Sequence, residues 1–331
     1  MRKNFLRIVH IKTENSSRIC YKLSPVHTTM RILITGSHGL VGTALARLLT
    51  SDGHEVITLV RHEPAAGAPE IQWHPNKGTI DKERLEGLDA VVHLAGENIA
   101  EGRWSAEKKR AIRDSRINGT TLLSETLAAL RNPPSVFVSA SAIGYYGNRG
   151  DELLTEKSAP GNDFLAHVCR DWEKSTAAAA EKGIRTVLAR FGIILDEHGG
   201  ALAKMLTPFR MGIGGRIGNG KQWMSWIALD DVVGAIRFMI RDRLVNGPVN
   251  FVAPNPVTNA EFTKTLGSVL SRPTFLPVPA FSARLAFGEM ADELLLSSQR
   301  VEPEVLKVRG FGFNFPRLEP ALRHILHRVY T

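Results

Sequence analysis

Between Ser135 and Gly147 the chain sets Ser139, Ser141, Tyr145 and Tyr146 at the end of the apolar run Val136-Phe137-Val138. A serine hydroxyl can orient a substrate oxygen while a phenol gives or takes a proton, the pairing that general acid–base chemistry uses. A phenol near pKa 10 is a poor base at pH 7, so a cation has to lower it. Arg190 and Lys221 are the candidate cations. The competing reading is that both rings only pack around a bound ligand.

A second group has the make-up of a phosphate cradle. Thr35-Gly36-Ser37-His38-Gly39-Leu40-Val41-Gly42 follows the apolar run Met30–Ile34 and opens into Thr43–Leu49, whose apolar spacing is helical. Strand, glycine turn and helix in that order give the G-x-x-G-x-x-G spacing its weight. Gly36 permits the tight turn, Gly39 lets backbone approach a pyrophosphate, and Gly42 lets helix and strand pack closely. The phosphates would sit on free N–H groups at the helix start. The next strand, Glu55–Val60, ends in Arg61-His62 rather than in an acid. An acid there would take a ribose 2′-hydroxyl, whereas the Arg61 guanidinium suits a 2′-phosphate, so NADP is expected over NAD. Leu94-Ala95-Gly96, closing the strand that begins at Leu88, are small enough for a cofactor to lie close.

The elements that carry these groups alternate. Strands are expected at 30–34, 55–60, 70–73, 88–96, 135–141 and 185–192, with helices between them, including one capped by Ser105 and stopped by Pro133-Pro134. That alternation implies an α/β fold with a doubly wound parallel sheet. From about residue 196 the chain turns glycine-rich and basic, through Arg210, Arg216 and Lys221, and then mixes short helices with prolines. The expected division is residues 30–195 with 230–254 as the dinucleotide-binding domain, and 196–229 with 255–331 as a smaller α/β substrate domain.

Composition narrows the classes. The chain has 331 residues, 43% hydrophobic and 23% charged, and two cysteines, which make no disulfide framework and fit a cytoplasmic setting. No apolar run reaches membrane-spanning length. Residues 1–29 hold +5 of the net charge of +9, and are expected to be a disordered or untranslated extension before Met30. The modest excess on the rest suits an anionic cofactor or substrate and is only weak evidence for nucleic acid, so no nucleic-acid partner is expected. The His residues show no metal-ligand spacing, so no metal is expected. A small-molecule substrate is the expected partner, with a homodimer left open.

Thr35–Gly42, His93–Gly96, Asn118-Gly119-Thr120, Ser139–Gly147, Arg190 and Ser225-Trp226-Ile227 before Asp230-Asp231 together resemble the extended short-chain dehydrogenase/reductase superfamily, the fold of nucleotide-sugar epimerases. The end of the chain, with Leu295–Val301, Pro303, Gly310–Phe313 and Pro316, is similar to the narrower "epimerase family" with a small conserved C-terminal domain. The resemblance implies a Rossmann sheet and adds Asn118 and Ser139 to the cofactor contacts. It also implies an NADP-dependent oxidoreductase or epimerase acting on a small polar, nucleotide-sugar-like substrate. One departure stands out: the superfamily's Tyr and Lys, four residues apart, are replaced here by Phe164 and Val168 or by Leu165 and Cys169. Ser141 matches the superfamily's serine, and the phenol then falls to Tyr145 or Tyr146. The alternative is an NADP-binding protein without turnover, structural or redox-sensing.

Arg190, Lys221 and Trp223 are the expected substrate contacts, although a basic solvated loop and a packing tryptophan explain the last two as well. Asp230-Asp231 reads as a helix cap ahead of an acid–base pair. His93 reads as a core histidine, and His167 with Asp171 as a surface pair on one helix.

Overall fold

The computed structural model describes residues 28–326, so most of the expected N-terminal extension, residues 1–27, lies outside the described residues. The first half of the chain alternates as the sequence suggests. It runs β1 (Arg31–Thr35), α1 (Leu40–Ser51), β2 (Glu55–Val60), β3 (Glu70–His74), β4 (Thr79–Ile80), β5 (Ala90–His93), α2 (Ala106–Ala128) and β6 (Val136–Ala142). Next come β7 (Leu153–Leu154), α3 (Phe164–Lys174), α4 (Ala177–Glu181), β8 (Arg185–Phe191) and β9 (Ile193–Leu195). The remainder is α5 (Gly200–Arg210), β10 (Trp223–Met224), β11 (Trp226–Ala228), α6 (Leu229–Arg241), β12 (Gly247–Phe251), β13 (Val257–Thr258) and α7 (Asn259–Leu270). It closes with α8 (Ala280–Phe287), β14 (Arg300–Val301), α9 (Glu304–Val308) and α10 (Leu318–Leu326).

Eight strands join in the order β12-β8-β6-β5-β1-β2-β3-β4, all parallel except the β3–β4 pair. The chain runs outward from β1 through β2 and β3, then returns to the other side of β1 at β5. The crevice between the carboxyl ends of β1 and β5 is therefore the topological switch point, where open α/β sheets bind ligands. Strands with both faces covered read as continuous apolar runs, and Ile32, Leu33 and Ile34 are all fully buried.

α1 and α6 cover one face in a cluster containing Ile32, Ile34, Leu45, Val138, Val232 and Ile236. α2 covers the other with Leu123 and Leu127 against Leu33, Val91 and Phe137. A separate cluster unites Leu202, Leu206, Trp226, Phe262, Leu266, Leu322 and Ile325, and so draws α5, β11, α7 and α10 together. Residues 304–313 do not follow that cluster: Leu306, Phe311 and Phe313 pack on the main one beside β12. Ser105 caps α2 by accepting the Lys108 N–H at 3.1 Å. No described helix is long and apolar enough to cross a membrane.

Candidate functional site

β1 delivers Thr35 to the switch point, and the next residue, Gly36, turns with φ +69°, a conformation glycine adopts without a Cβ penalty. A Cβ on Gly36 would stand 2.9 Å from the Leu94 carbonyl carbon, and one on Gly42 only 2.2 Å from the Gly36 oxygen. Both positions thus exclude every other residue. Gly39 is different: its Cβ would meet only the Gly36 oxygen, at 3.3 Å, and the residue is exposed. Gly39 is also the N-cap of α1, with no side chain capping the helix and no acid in its first turn. The first N–H groups of α1, on Leu40 and Val41, have no capping side chain, and the positive end of the helix dipole lies behind them. Leu40 itself leans on the loop before α5, its Cδ1 lying 3.2 Å from a Cβ position on Gly199.

Beneath this turn a buried chain of hydrogen bonds ties β1, β5, α2 and α3. Thr35 Oγ1 accepts the N–H groups of Leu94 and Ala95, each at 3.1 Å, and lies 2.7 Å from His93 Nδ1. His93 Nε2 lies 2.9 Å from Thr120 Oγ1, which also accepts the Trp172 indole N–H at 2.9 Å. Burial pushes the His93 imidazole down to about 4, so it is neutral at pH 7. Leu94, Ala95 and the exposed Gly96 continue from this anchor along the crevice.

The serine and tyrosine group is mostly turned inward. Ser141 is 2% exposed and donates to Glu173 Oε1 at 2.7 Å. Glu173, on α3, holds Arg190 of β8 through both carboxylate oxygens, at 2.7 and 2.8 Å. Arg190 donates to the Tyr146 hydroxyl at 3.0 Å, and that hydroxyl donates to Asn250 Oδ1 at 2.7 Å. Tyr146 is fully buried, and burial, only partly offset by Arg190, pushes its phenol up to about 12. Burial works against the charge on Arg190, yet Glu173 and Tyr146 hold its pKa above the usual guanidinium value. Arg190, expected as a substrate contact, is 3% exposed and lies in an interior ion pair with Glu173. Tyr145 has the other environment. It is partly exposed, the Arg190 guanidinium stacks on its ring at 3.5 Å, and its hydroxyl makes no hydrogen bond among the described residues.

Other expectations are redirected as well. Ser139 is fully buried in the middle of β6, facing the Ala140 oxygen at 3.5 Å. Asn118 is exposed on α2, while its neighbour Gly119 faces Trp73 and His93. The α2 side chain that reaches the crevice is Arg116, whose Cζ lies 3.4 Å from a Cβ position on Gly96. Leu165 and Cys169 are the α3 pair that faces the loop after β6, at 3.4 and 3.8 Å from a Cβ position on Gly144. Burial pushes the Cys169 thiol up to about 12. Arg61 is exposed at the end of β2. His167 pairs with Arg170 at 2.7 Å and Asp171 with Arg113 at 3.2 Å, not with one another. No cluster of His, Cys, Asp and Glu that would hold a metal occurs among the described residues.

Lys221 lies at an open cavity of about 370 Å³ with Asp151, Arg284 and Ser298 among its lining. Trp223 is not part of that lining but holds one lining residue, its indole donating to Asp151 at 2.8 Å, with the Arg300 guanidinium 4.5 Å from its ring. Sequence spacing gave no sign of Glu173, Asn250 or Asp151, because each meets its partner only through the tertiary fold.

Residues 32–251 match the NAD dependent epimerase/dehydratase family, and residues 278–325 match a domain of unknown function, DUF1731. An epimerase family protein of Mycobacterium bovis is 44% identical over 297 residues, 90% of this chain and 98% of that protein. The human epimerase family protein SDR39U1 is 36% identical over 300 residues, 90% of this chain and 100% of that protein. A crystal structure of human SDR39U1 (isoform 2) with NADPH has a TM-score of 0.84 at 34% identity, covering 91% of this chain and 100% of that one. A nucleoside-diphosphate sugar epimerase from Corynebacterium glutamicum gives 0.76 at 40% identity, covering 91% of this chain and 59% of that one. With its glycine turn at the switch point and a match over two thirds of its length, the chain belongs to the NAD dependent epimerase/dehydratase family.

Proposed function

We propose that the protein binds NADP(H) at the β1–α1 turn and is an oxidoreductase of the epimerase type acting on a small polar substrate. The observation that carries this reading is the turn itself. Gly36 and Gly42 have no room for a Cβ, and α1 begins on an exposed glycine with its N–H groups uncapped. A pyrophosphate fits that cradle, held by Gly39, Leu40 and Val41, with Thr35, Leu94, Ala95 and Gly96 as floor. Arg61 takes the 2′-phosphate, in keeping with NADPH in the human relative's structure. A bound nicotinamide supplies hydride transfer, which none of the twenty side chains can perform.

Tyr145 is assigned the proton. Its neighbour cannot serve, because the Tyr146 hydroxyl already donates to Asn250 and accepts from Arg190. Ser141 is equally committed to Glu173, so its part is to brace the loop that carries Tyr145. Arg190, stacked on the Tyr145 ring, fixes its orientation. The cavity beside Lys221, with Arg284 and Asp151, is the proposed substrate pocket, formed where the loop after β6 meets the chain beyond residue 215. A second reading, cofactor binding without turnover, draws support from the inward lock on Ser141 and Tyr146.

Titration with NADPH and NADH tests the cofactor. NADPH is expected to bind more tightly by about 1–3 kcal/mol, with the preference lost in Arg61→Ala. Equal affinities remove the argument. A substrate screen with deuterated NADPH tests turnover, and Tyr145→Phe should cut it by about 10²–10⁴ with NADPH affinity unchanged. Full activity in that variant excludes the phenol. No turnover across the screen favours the second reading.

A further inference from the structure

Arg116 is a cation without a counter-ion. Its Nη1 donates to the carbonyl oxygens of Glu97 and Ile112, both at 3.0 Å, and its plane lies 5.0 Å from the Trp172 ring. No carboxylate comes within ion-pair distance of it among the described residues. The nearest acid, Glu97, has its own partner in Lys108 at 2.7 Å. Arg116 is partly buried, and burial lowers its pKa. Two carbonyls and an indole face hold the guanidinium in place, while the nitrogens they leave unbonded remain reachable from the crevice.

The surroundings define where an anion would meet this fork. Arg116 lies directly under Gly96, the exposed small residue at the carboxyl end of the β5 segment. Behind it are Trp172 and the α3 face that carries Cys169, a thiol kept neutral by burial. Its Nε and Nη2 make no hydrogen bond among the described residues, which leaves donors in the fork that fits two oxygens of one oxyanion.

We infer that Arg116 is a substrate-binding residue, receiving a carboxylate or phosphate group of the ligand in the crevice beneath Gly96. This rests on the cofactor reading above, because the crevice is the one that NADPH is proposed to share. The group is defined by its chemistry, an anion with two oxygens in one plane of the guanidinium, and two probes separate its sources. Malonate stands for the carboxylate and inorganic phosphate for the phosphate.

The test is calorimetric and needs no turnover. The full chain is first titrated with NADPH, then the NADPH-saturated chain with malonate or phosphate. One of the two probes should bind the native chain, more weakly as salt rises, and Arg116→Gln should weaken it by at least about tenfold. Arg116→Lys, which keeps the charge and loses the fork, should fall between. NADPH affinity should change by less than about threefold in either variant. Equal probe binding by native chain and Arg116→Gln overturns the inference, as does an NADPH affinity that falls while probe binding holds. A native chain that fails to bind NADPH refutes the cofactor reading instead, and the probe titration on the chain alone still decides Arg116. Thermal melting of each variant checks that it is folded before it is scored.

Discussion

Thr35 Oγ1 accepts two backbone N–H groups, which fills both of its lone pairs. Its own hydrogen is then free only for His93 Nδ1, which places the imidazole proton on Nε2, toward Thr120. A second proton on His93 would set an N–H against a saturated oxygen in a fully buried site. Burial and hydrogen-bond counting therefore agree on a neutral ring with a pKa near 4. An unfolded histidine titrates near 6.5, so between these values the unfolded chain binds the extra proton. Stability is complete above about pH 6.5 and falls as pH drops toward 4, by about 3 kcal/mol from this residue. Urea unfolding at pH 7 and pH 4.5 should show that loss, and His93→Gln should show a smaller difference between the two. Parallel pH slopes in both proteins would exclude His93 as the source. The histidine was legible in the sequence as a core residue, but the chain of Thr35, Thr120 and Trp172 around it was not, since its members are up to 60 positions from their partners.

The element that organises the crevice is the β1–α1 turn, and its three glycines differ in kind. Gly42→Ala drives a methyl to 2.2 Å from the Gly36 oxygen, so either helix or strand has to move. Such overpacking is destabilising by about 1–3 kcal/mol and should weaken NADPH with it. Gly39→Ala meets only one oxygen, at 3.3 Å, and its φ of −80° suits alanine. It should leave the melting temperature almost unchanged while reducing NADPH affinity at least about tenfold, because the new methyl projects into the phosphate cradle. If Gly39→Ala binds NADPH normally, the cradle lies elsewhere. This turn was readable in the sequence because strand, glycines and helix are contiguous, and the same holds for the apolar strands buried on both faces. α2 was less readable. Its 23 residues carry little amphipathic bias, so spacing could not say whether Asn118 or Arg116 faces inward. Packing of Gly119 on Trp73 settles the phase and turns Asn118 outward. Tyr145 and Tyr146 were likewise inseparable by type, and only the positions of Arg190, Glu173 and Asn250 tell the two phenols apart.

Across the molecule, the main apolar cluster and the second one have to be held together, and the adjacent carboxylates of α6 do part of this. Asp231 is fully buried at the start of α6, among residues of the main cluster, and accepts the N–H groups of Asn314 and Phe315 at 2.8 and 2.9 Å. Phe315 packs on the second cluster and stacks on His324 of α10, 4.4 Å between centroids, while His324 pairs with Asp230 at 2.9 Å. The pair reads as a helix cap in the sequence, yet here both carboxylates reach the C-terminal segment instead. Burial raises the Asp231 pKa against the two N–H bonds, so the latch acts through shape and hydrogen bonding more than through a relaxed charge. Asp231→Ala removes both acceptors and is expected to be destabilising by roughly 1–3 kcal/mol. The effect should be local first: limited proteolysis should cut near residues 310–317, where the chain crosses from one cluster to the other, before the main sheet is attacked. Asp231→Asn keeps one acceptor and should lie between the native protein and the alanine variant. If Asp231→Ala melts with the native midpoint and shows no new cleavage in that stretch, Asp231 is not what holds the C-terminal segment against the sheet.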